Sequence, residues 1–242
     1  MRLASVNGTR TAVDKAHHEG VSFTGLTMEI VWSGHSCFTV RGKETTLVFD
    51  PCPPQHGCAS RWGKPQVVLM SHMHPGHSYM EEFSGQPRVF CGPGEFEVGG
   101  AFITALGTYH DSEQGETKGR NTVFSVELDG LSLCHVGDLG HPLSGQMLRD
   151  IGKVDILFVP AGDVSTISVA EARSLVRALQ PRYVLPMHYR SEDTRPELEP
   201  VETFLTAMAV QQPDRRAKLS VTVNNLPLAT QVVVLECDGR VG

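Results

Sequence analysis

Three histidines fall within six residues at Ser71-His72-Met73-His74-Pro75-Gly76-His77, directly after the apolar run Val67-Val68-Leu69-Met70. An extended backbone sends residues two apart to the same side, and neutral imidazole nitrogens are good donors to zinc or iron. The spacing therefore points to a metal-gripping loop at the end of a rigid strand. Four later polar residues stand in similar places, at or just past strand-like runs. His110 follows 102–109, Asp138 follows 131–137, Asp163 lies past 156–159, and His188 follows 183–187. If those strands are neighbours in sheets, their ends converge on one cleft with nitrogen and oxygen ligands enough for two adjacent metals.

The elements that must hold these ends are short and rich in Val, Ile, Leu and Phe, with turn residues between them, as in 29–32, 37–40 and 46–49. Such runs read as a strand meander. Further strand-like runs follow at 66–70, 88–91, 101–106, 122–128, 131–136, 154–159, 182–187, 219–223 and 231–236. Helical signals come later: a capping box at Ser168-Val169-Ala170-Glu171 opening a periodic stretch stopped by Pro181, and two more stretches at 144–151 and 201–210. Strands first and helices toward the C-terminal half predict two sheets packed face to face with helices outside. Residues 1–26, which include His17 and His18, lack an apolar period and read as a loose tail, and 27–242 reads as one domain.

Composition narrows the function classes. The chain has 242 residues, 40% of them hydrophobic, which supports one large core. Its 21 Lys and Arg against 27 Asp and Glu give a net charge of -6 with no basic run, which argues against a nucleic-acid partner. No apolar segment approaches the roughly 20 residues of a membrane span, and no secretory signal is visible, so a cytoplasmic protein is expected. Of the six cysteines, Cys52 and Cys58 lie among turn residues and form the one plausible bridged or exposed pair, while Cys37, Cys91, Cys134 and Cys237 read as buried reduced thiols.

Taken in order, Gly34-His35-Ser36-Cys37-Phe38, Phe49-Asp50-Pro51, the His72–His77 stretch, Gly92-Pro93-Gly94-Glu95, His135-Val136-Gly137-Asp138-Leu139-Gly140-His141 and Pro186-Met187-His188-Tyr189 closely resemble the metallo-β-lactamase superfamily. Within it, they resemble the metal-dependent hydrolases related to ascorbate-6-phosphate lactonases. The resemblance runs from Met28 to the C-terminus and implies an α/β fold, a four-layer αββα sandwich with metals between the rims of the sheets. It implies a first site of His72, His74 and His110 and a second of His77, Asp138 and His188, with Asp138 bridging. One departure is plain. The family motif is His-x-His-x-Asp-His, and Gly76 stands where its carboxylate would bind the second metal. Asp111, Glu95 and Asp163 are open as substitutes, with no spacing that selects among them.

The remaining polar residues have plainer readings. His35 is read either as a wall of the cleft supporting a ligand or as a structural hydrogen-bonding residue. Asp50 is expected to be a buried acceptor that braces the ligand loop, and His135 a buried non-ligand. His141 and Asp111 read as solvated loop residues, with proton donation or substrate contact as the alternative. Met70, Met73 and Met187 read as packing residues, and Tyr189 as packing beside His188. The implied activity is hydrolysis of a small ester, lactone, amide or phosphoester by metal-activated water, with one or two zinc ions and manganese or iron(II) as alternatives. The competing readings are a metal-binding pseudoenzyme or sensor and, less favoured because His74 is a histidine, an iron oxidoreductase. Loops near 52–64, 78–86, 111–120 and 189–199 would shape substrate choice. The oligomeric state, including a homo-oligomer, stays open.

Overall fold

The computed structural model describes residues 27–58, 62–190 and 197–237. The expected tail at 1–26, with His17 and His18, lies outside them, as do 59–61 and 191–196 of two substrate-shaping loops. In chain order the strands are β1 (Met28–Gly34), β2 (Cys37–Arg41), β3 (Thr46–Phe49), β4 (Val67–Met70), β5 (Arg88–Cys91), β6 (Gly94–Val98) and β7 (Ala101–Tyr109). They continue as β8 (Arg120–Leu128), β9 (Leu131–His135), β10 (Ile156–Pro160), β11 (Tyr183–Met187), β12 (Asp214–Arg216), β13 (Leu219–Val221) and β14 (Gln231–Leu235). Helix α1 (Gly145–Ile151) follows β9, α2 (Val169–Leu179) follows β10, and α3 (Val201–Ala207) follows β11.

The strands form a six-stranded sheet ordered β13-β1-β2-β3-β4-β5 and an eight-stranded sheet ordered β12-β14-β11-β10-β9-β8-β7-β6. Neighbouring strands are parallel from β3 to β5 and from β12 to β9, and antiparallel elsewhere. Central β10 and β11 are buried along their whole length, as parallel strands covered on both faces must be. β7, with antiparallel neighbours, alternates buried and exposed residues over much of its length. Between the sheets Phe38 packs on Phe158 with ring centroids 4.5 Å apart, and Phe49 stacks on His135 at 5.0 Å. These rings make the shared floor on which both sheets, and hence both sets of strand ends, are registered.

Helix α2 packs on β10 and against α3, burying Val169, Ala172, Leu175 and Val176. Its start is set by the expected capping box: Glu171 N donates to Ser168 Oγ, and Ser168 N donates to Glu171 Oε2. Outside the six-stranded sheet, the covering layer among the described residues is made of turns, with Trp62, Tyr79, Met80 and Phe83 packed on Cys37, Val48 and Val68. No helix of the described residues is long and apolar enough to cross a membrane.

Two strands fall where no strand was expected. β12 is three charged residues carried by pairing with β14, and β6 is carried by pairing with β7. The last helix stops at Ala207, short of the expected 210, where Ala209 takes a positive φ of 58°.

Candidate metal centre

The ligand-bearing positions all sit at strand ends on one rim: His72 two residues past β4, His110 next after β7, Asp138 three past β9, and His188 next after β11. They converge. Asp138 Oδ2 lies 3.2 Å from His110 Nε2, 3.2 Å from His188 Nε2, 3.3 Å from His77 Nε2 and 4.0 Å from His72 Nε2. His72, His74 and His110 each offer a ligand atom within 4.8 Å of the others. Asp138 and the imidazoles of His72, His77, His110 and His188 are buried, while His74 is exposed, so the cluster opens to solvent on the His74 side. His72 Nε2 and Asp138 Oδ1 are buried with no hydrogen-bond partner among the described residues. Imidazole nitrogens around a carboxylate, with buried lone pairs left over, form a donor set that suits a divalent ion such as zinc.

A single buried carboxylate orients two of these rings. Asp50 accepts hydrogen bonds from Ser71 N at 2.7 Å, Ser71 Oγ at 2.6 Å and His77 Nδ1 at 2.8 Å. The Ser71 hydroxyl proton is thereby committed to Asp50, so at 2.9 Å Ser71 Oγ accepts from His72 Nδ1. Both His72 and His77 then turn Nε2 toward Asp138. The expected bracing role of Asp50 is what the structure displays.

Asp138 is held by Asn121, a residue the sequence reading passed over. Asn121 Oδ1 accepts from Asp138 N, and its Nδ2 donates to Thr108 Oγ1 and to Val136 O. Nothing in the pattern marks an asparagine at a strand start as a clamp, because its partners come from β7 and from the segment after β9. Gly137 lets the chain pass this close: with φ at 58°, a Cβ there would collide with Asn121 Oδ1 and Ser71 Cβ.

Charge is shared unevenly over the cluster. Burial alone would depress the His77 imidazole, but the Asp138 and Asp50 carboxylates on either side outweigh it and push its pKa up to about 10. His72 goes the other way, to about 3, because burial and the neighbouring His77 cation disfavour a second charge. Burial would raise Asp138, yet His188 and His77 hold it well below the usual carboxylate range.

Several neighbours take other roles than expected. Asp111 is buried and neither solvated nor a substitute ligand, since its carboxylate accepts from the backbone of Glu113, Gly115, Thr117 and Lys118 and from Thr117 Oγ1. These bonds outweigh the effect of burial and lower its pKa. His141 accepts from Tyr109 N at 3.2 Å and so braces the strand end before His110. Glu95 and Asp163 are exposed, and neither joins a metal-binding group of the described residues. Met70 and Met187 are buried, but Met73 is 66% exposed because it points out of the loop between His72 and His74. Tyr189 packs on Trp32 at 5.1 Å, and His135 is buried with its Nε2 on Ser36 O, as a non-ligand. Cys52 and Cys58 form a disulfide, and Cys91, expected to be buried, is exposed on edge strand β5. His35 lies against the cluster, its ring 4.4 Å from that of His188 and 4.8 Å from that of His77. Beside the cluster a cleft of about 510 Å³ is lined by His72, Met73, His74, Tyr109, Lys118 and Arg120, among others.

Two face-to-face sheets with a histidine-rich cleft at their strand ends are the architecture of the metallo-β-lactamase class. The chain belongs to the beta-lactamase superfamily, whose domain matches residues 29–188. It is similar to a UPF0173 protein of Pyrococcus furiosus, 31% identical over 199 residues, covering 72% of this chain and 88% of the relative. It is 28% identical over 195 residues to a UPF0173 metal-dependent hydrolase of Pyrococcus abyssi, covering 68% and 85%. Among solved structures, a candidate Zn-dependent hydrolase of the metallo-beta-lactamase superfamily from Thermotoga maritima superposes with a TM-score of 0.72 at 33% identity, covering 86% of this chain and 98% of that one.

Proposed function

We propose that the chain is a metal-dependent hydrolase acting on a small ester, lactone, amide or phosphoester, with zinc as its ion. One observation carries the reading: a single buried carboxylate oxygen, Asp138 Oδ2, within 4.0 Å of four imidazole nitrogens delivered by three separate chain segments. His72, His74 and His110 would hold one ion, and His77, Asp138 and His188 a second. A divalent ion in such a set supplies a Lewis acid and lowers the pKa of its water to about 7. The protein's own groups do the rest. Asp138 Oδ1, buried and without a hydrogen-bond partner among the described residues, would be the acceptor for a proton of the attacking water. The exposed His74 edge leads into the cleft, whose wall carries Lys118 and Arg120, and these cations suit a substrate bearing a carboxylate or phosphate.

Gly76 favours a second reading, a metal-binding protein with little turnover. One experiment separates the two. The zinc-loaded chain is assayed against a panel of lactones, esters and phosphodiesters beside the Gly76→Asp variant and the His110→Ala variant. Turnover by the native chain that His110→Ala lowers by at least about 100-fold supports the hydrolase. A native chain that is inert on the whole panel, with activity created by Gly76→Asp, supports the binding protein and ends the hydrolase reading.

A further inference from the structure

Position 76 lacks a side chain, and another residue of this chain points into the same space. A Cβ built on Gly76 would lie 3.0 Å from His35 Nε2 and 3.2 Å from His35 Cδ2. His35, His77 and His188 are all buried, and each offers a nitrogen within 4.8 Å of the other two. Zn–N bonds of about 2.0–2.1 Å in tetrahedral geometry place ligand nitrogens about 3.4 Å apart, so small ring movements bring this trio to coordinating distance.

The backbone fixes His35 there. His35 and Ser36 make the two-residue turn between β1 and β2, and positive φ values of 107° at Gly34, the last residue of β1, and 51° at His35 set its course. His35 O accepts from Trp32 Nε1 and from His188 N, both at 3.0 Å. The second of these bonds ties the turn of one sheet to the ligand-bearing end of the other. An uncommon left-handed conformation at a bulky residue, held by bonds from both sheets, is the kind of strain that persists where a side chain must be aimed.

Resting on the metal-dependent reading above, we propose that His35 stands in for the carboxylate absent at position 76, so that the second metal position is His35, His77, His188 and the shared carboxylate of Asp138. A neutral imidazole in place of a carboxylate leaves that site with one less negative charge, and only Asp138 to offset the ion.

The test is metal stoichiometry and spectroscopy, not activity. Chelator-stripped protein is titrated with Zn²⁺ and, in parallel, with Co²⁺ followed by its visible absorption, for the native chain, His35→Asn, and His35→Asn combined with Gly76→Asp. Asparagine tolerates the left-handed backbone of this turn but is too short to replace the ring. The native chain is expected to take two ions. His35→Asn is expected to keep one tight ion and to weaken the other at least as much as the roughly 10- to 100-fold that loss of an outer-shell partner causes, and the double variant to regain it. The proposal is overturned if His35→Asn holds both ions at native affinity, or if the native chain holds a single ion that His35→Asn leaves unchanged. Loss of both ions together, or failure of the double variant to regain the second, marks His35 as a scaffold residue and also overturns it. A native chain that binds neither metal removes the metal reading itself, which is a separate result.

Discussion

Asp50 shows how a residue that touches no cleft can decide what the cleft binds. Its two oxygens accept from Ser71 and His77, and through Ser71 they also fix the tautomer of His72. Burial would raise its pKa, but the charge of His77 outweighs this and keeps the group ionised. Asp50→Asn keeps size and shape and suits the positive φ of 41° at this position. The new amide, however, places N–H donors against Ser71 Oγ or His77 Nδ1, which already donate. The expected outcome is a fall in zinc affinity of about 10- to 100-fold, measured by competition with a chromophoric chelator. The metal-free chain should also lose about 1–3 kcal/mol in urea unfolding, because a buried donor is left without an acceptor. Native zinc affinity in this variant would show that the imidazoles orient themselves without Asp50.

At the scale of elements, the centre depends on how closely the loops past β4 and β9 approach each other, and Gly137 sits at that approach. Gly137→Ala combines a strained positive φ, worth about 1–3 kcal/mol, with a collision against Ser71 and Asn121. Gly63 provides the control, since its φ is also positive, at 65°, but open space surrounds it. Urea midpoints should show Gly63→Ala losing only the strain, and Gly137→Ala losing more and binding zinc less tightly as Asp138 shifts. Equal losses would mean that the loops have slack. The strand ends carrying His72, His110, Asp138 and His188 were legible in the sequence because each is a polar residue closing an apolar run, a local signal. The Asp111 loop was legible in principle, since its acceptor bonds stay within seven residues of it. His35, read as a cleft wall or a structural residue, has its ring against the cluster. The clamp by Asn121 was not legible, because its partners come from distant segments and only the closed sandwich brings them together. β12 was hidden for the same reason: pairing with β14 makes Asp214-Arg215-Arg216 a strand, and its own residues do not.

The whole molecule is two sheets sealed by their own side chains, and it carries a thiol inside each: Cys37 on β2 and Cys134 on β9, both fully buried. Burial pushes each thiol up to about 12, because the thiolate would have to form without solvent. In the unfolded chain the same groups ionise near 8.5. The folded-state values are the higher ones, so the contribution to stability is complete below about pH 8.5 and is lost as the pH rises toward 12. Between those limits the unfolded chain sheds protons that the folded chain keeps, and stability should fall by about 1.4 kcal/mol per pH unit for each thiol. Urea midpoints of metal-free protein between pH 8 and about 10.5 measure this slope. Removing both thiols with Cys37→Ala and Cys134→Ala should lower stability at every pH through lost packing, but it should lessen the alkaline decline, leaving the part that His77 contributes as the pH rises toward its raised pKa of about 10. The difference between the two slopes isolates ionisation from cavity formation, because a cavity costs the same at each pH. Parallel slopes would mean that the sheets open and admit solvent to these strands well before the chain unfolds.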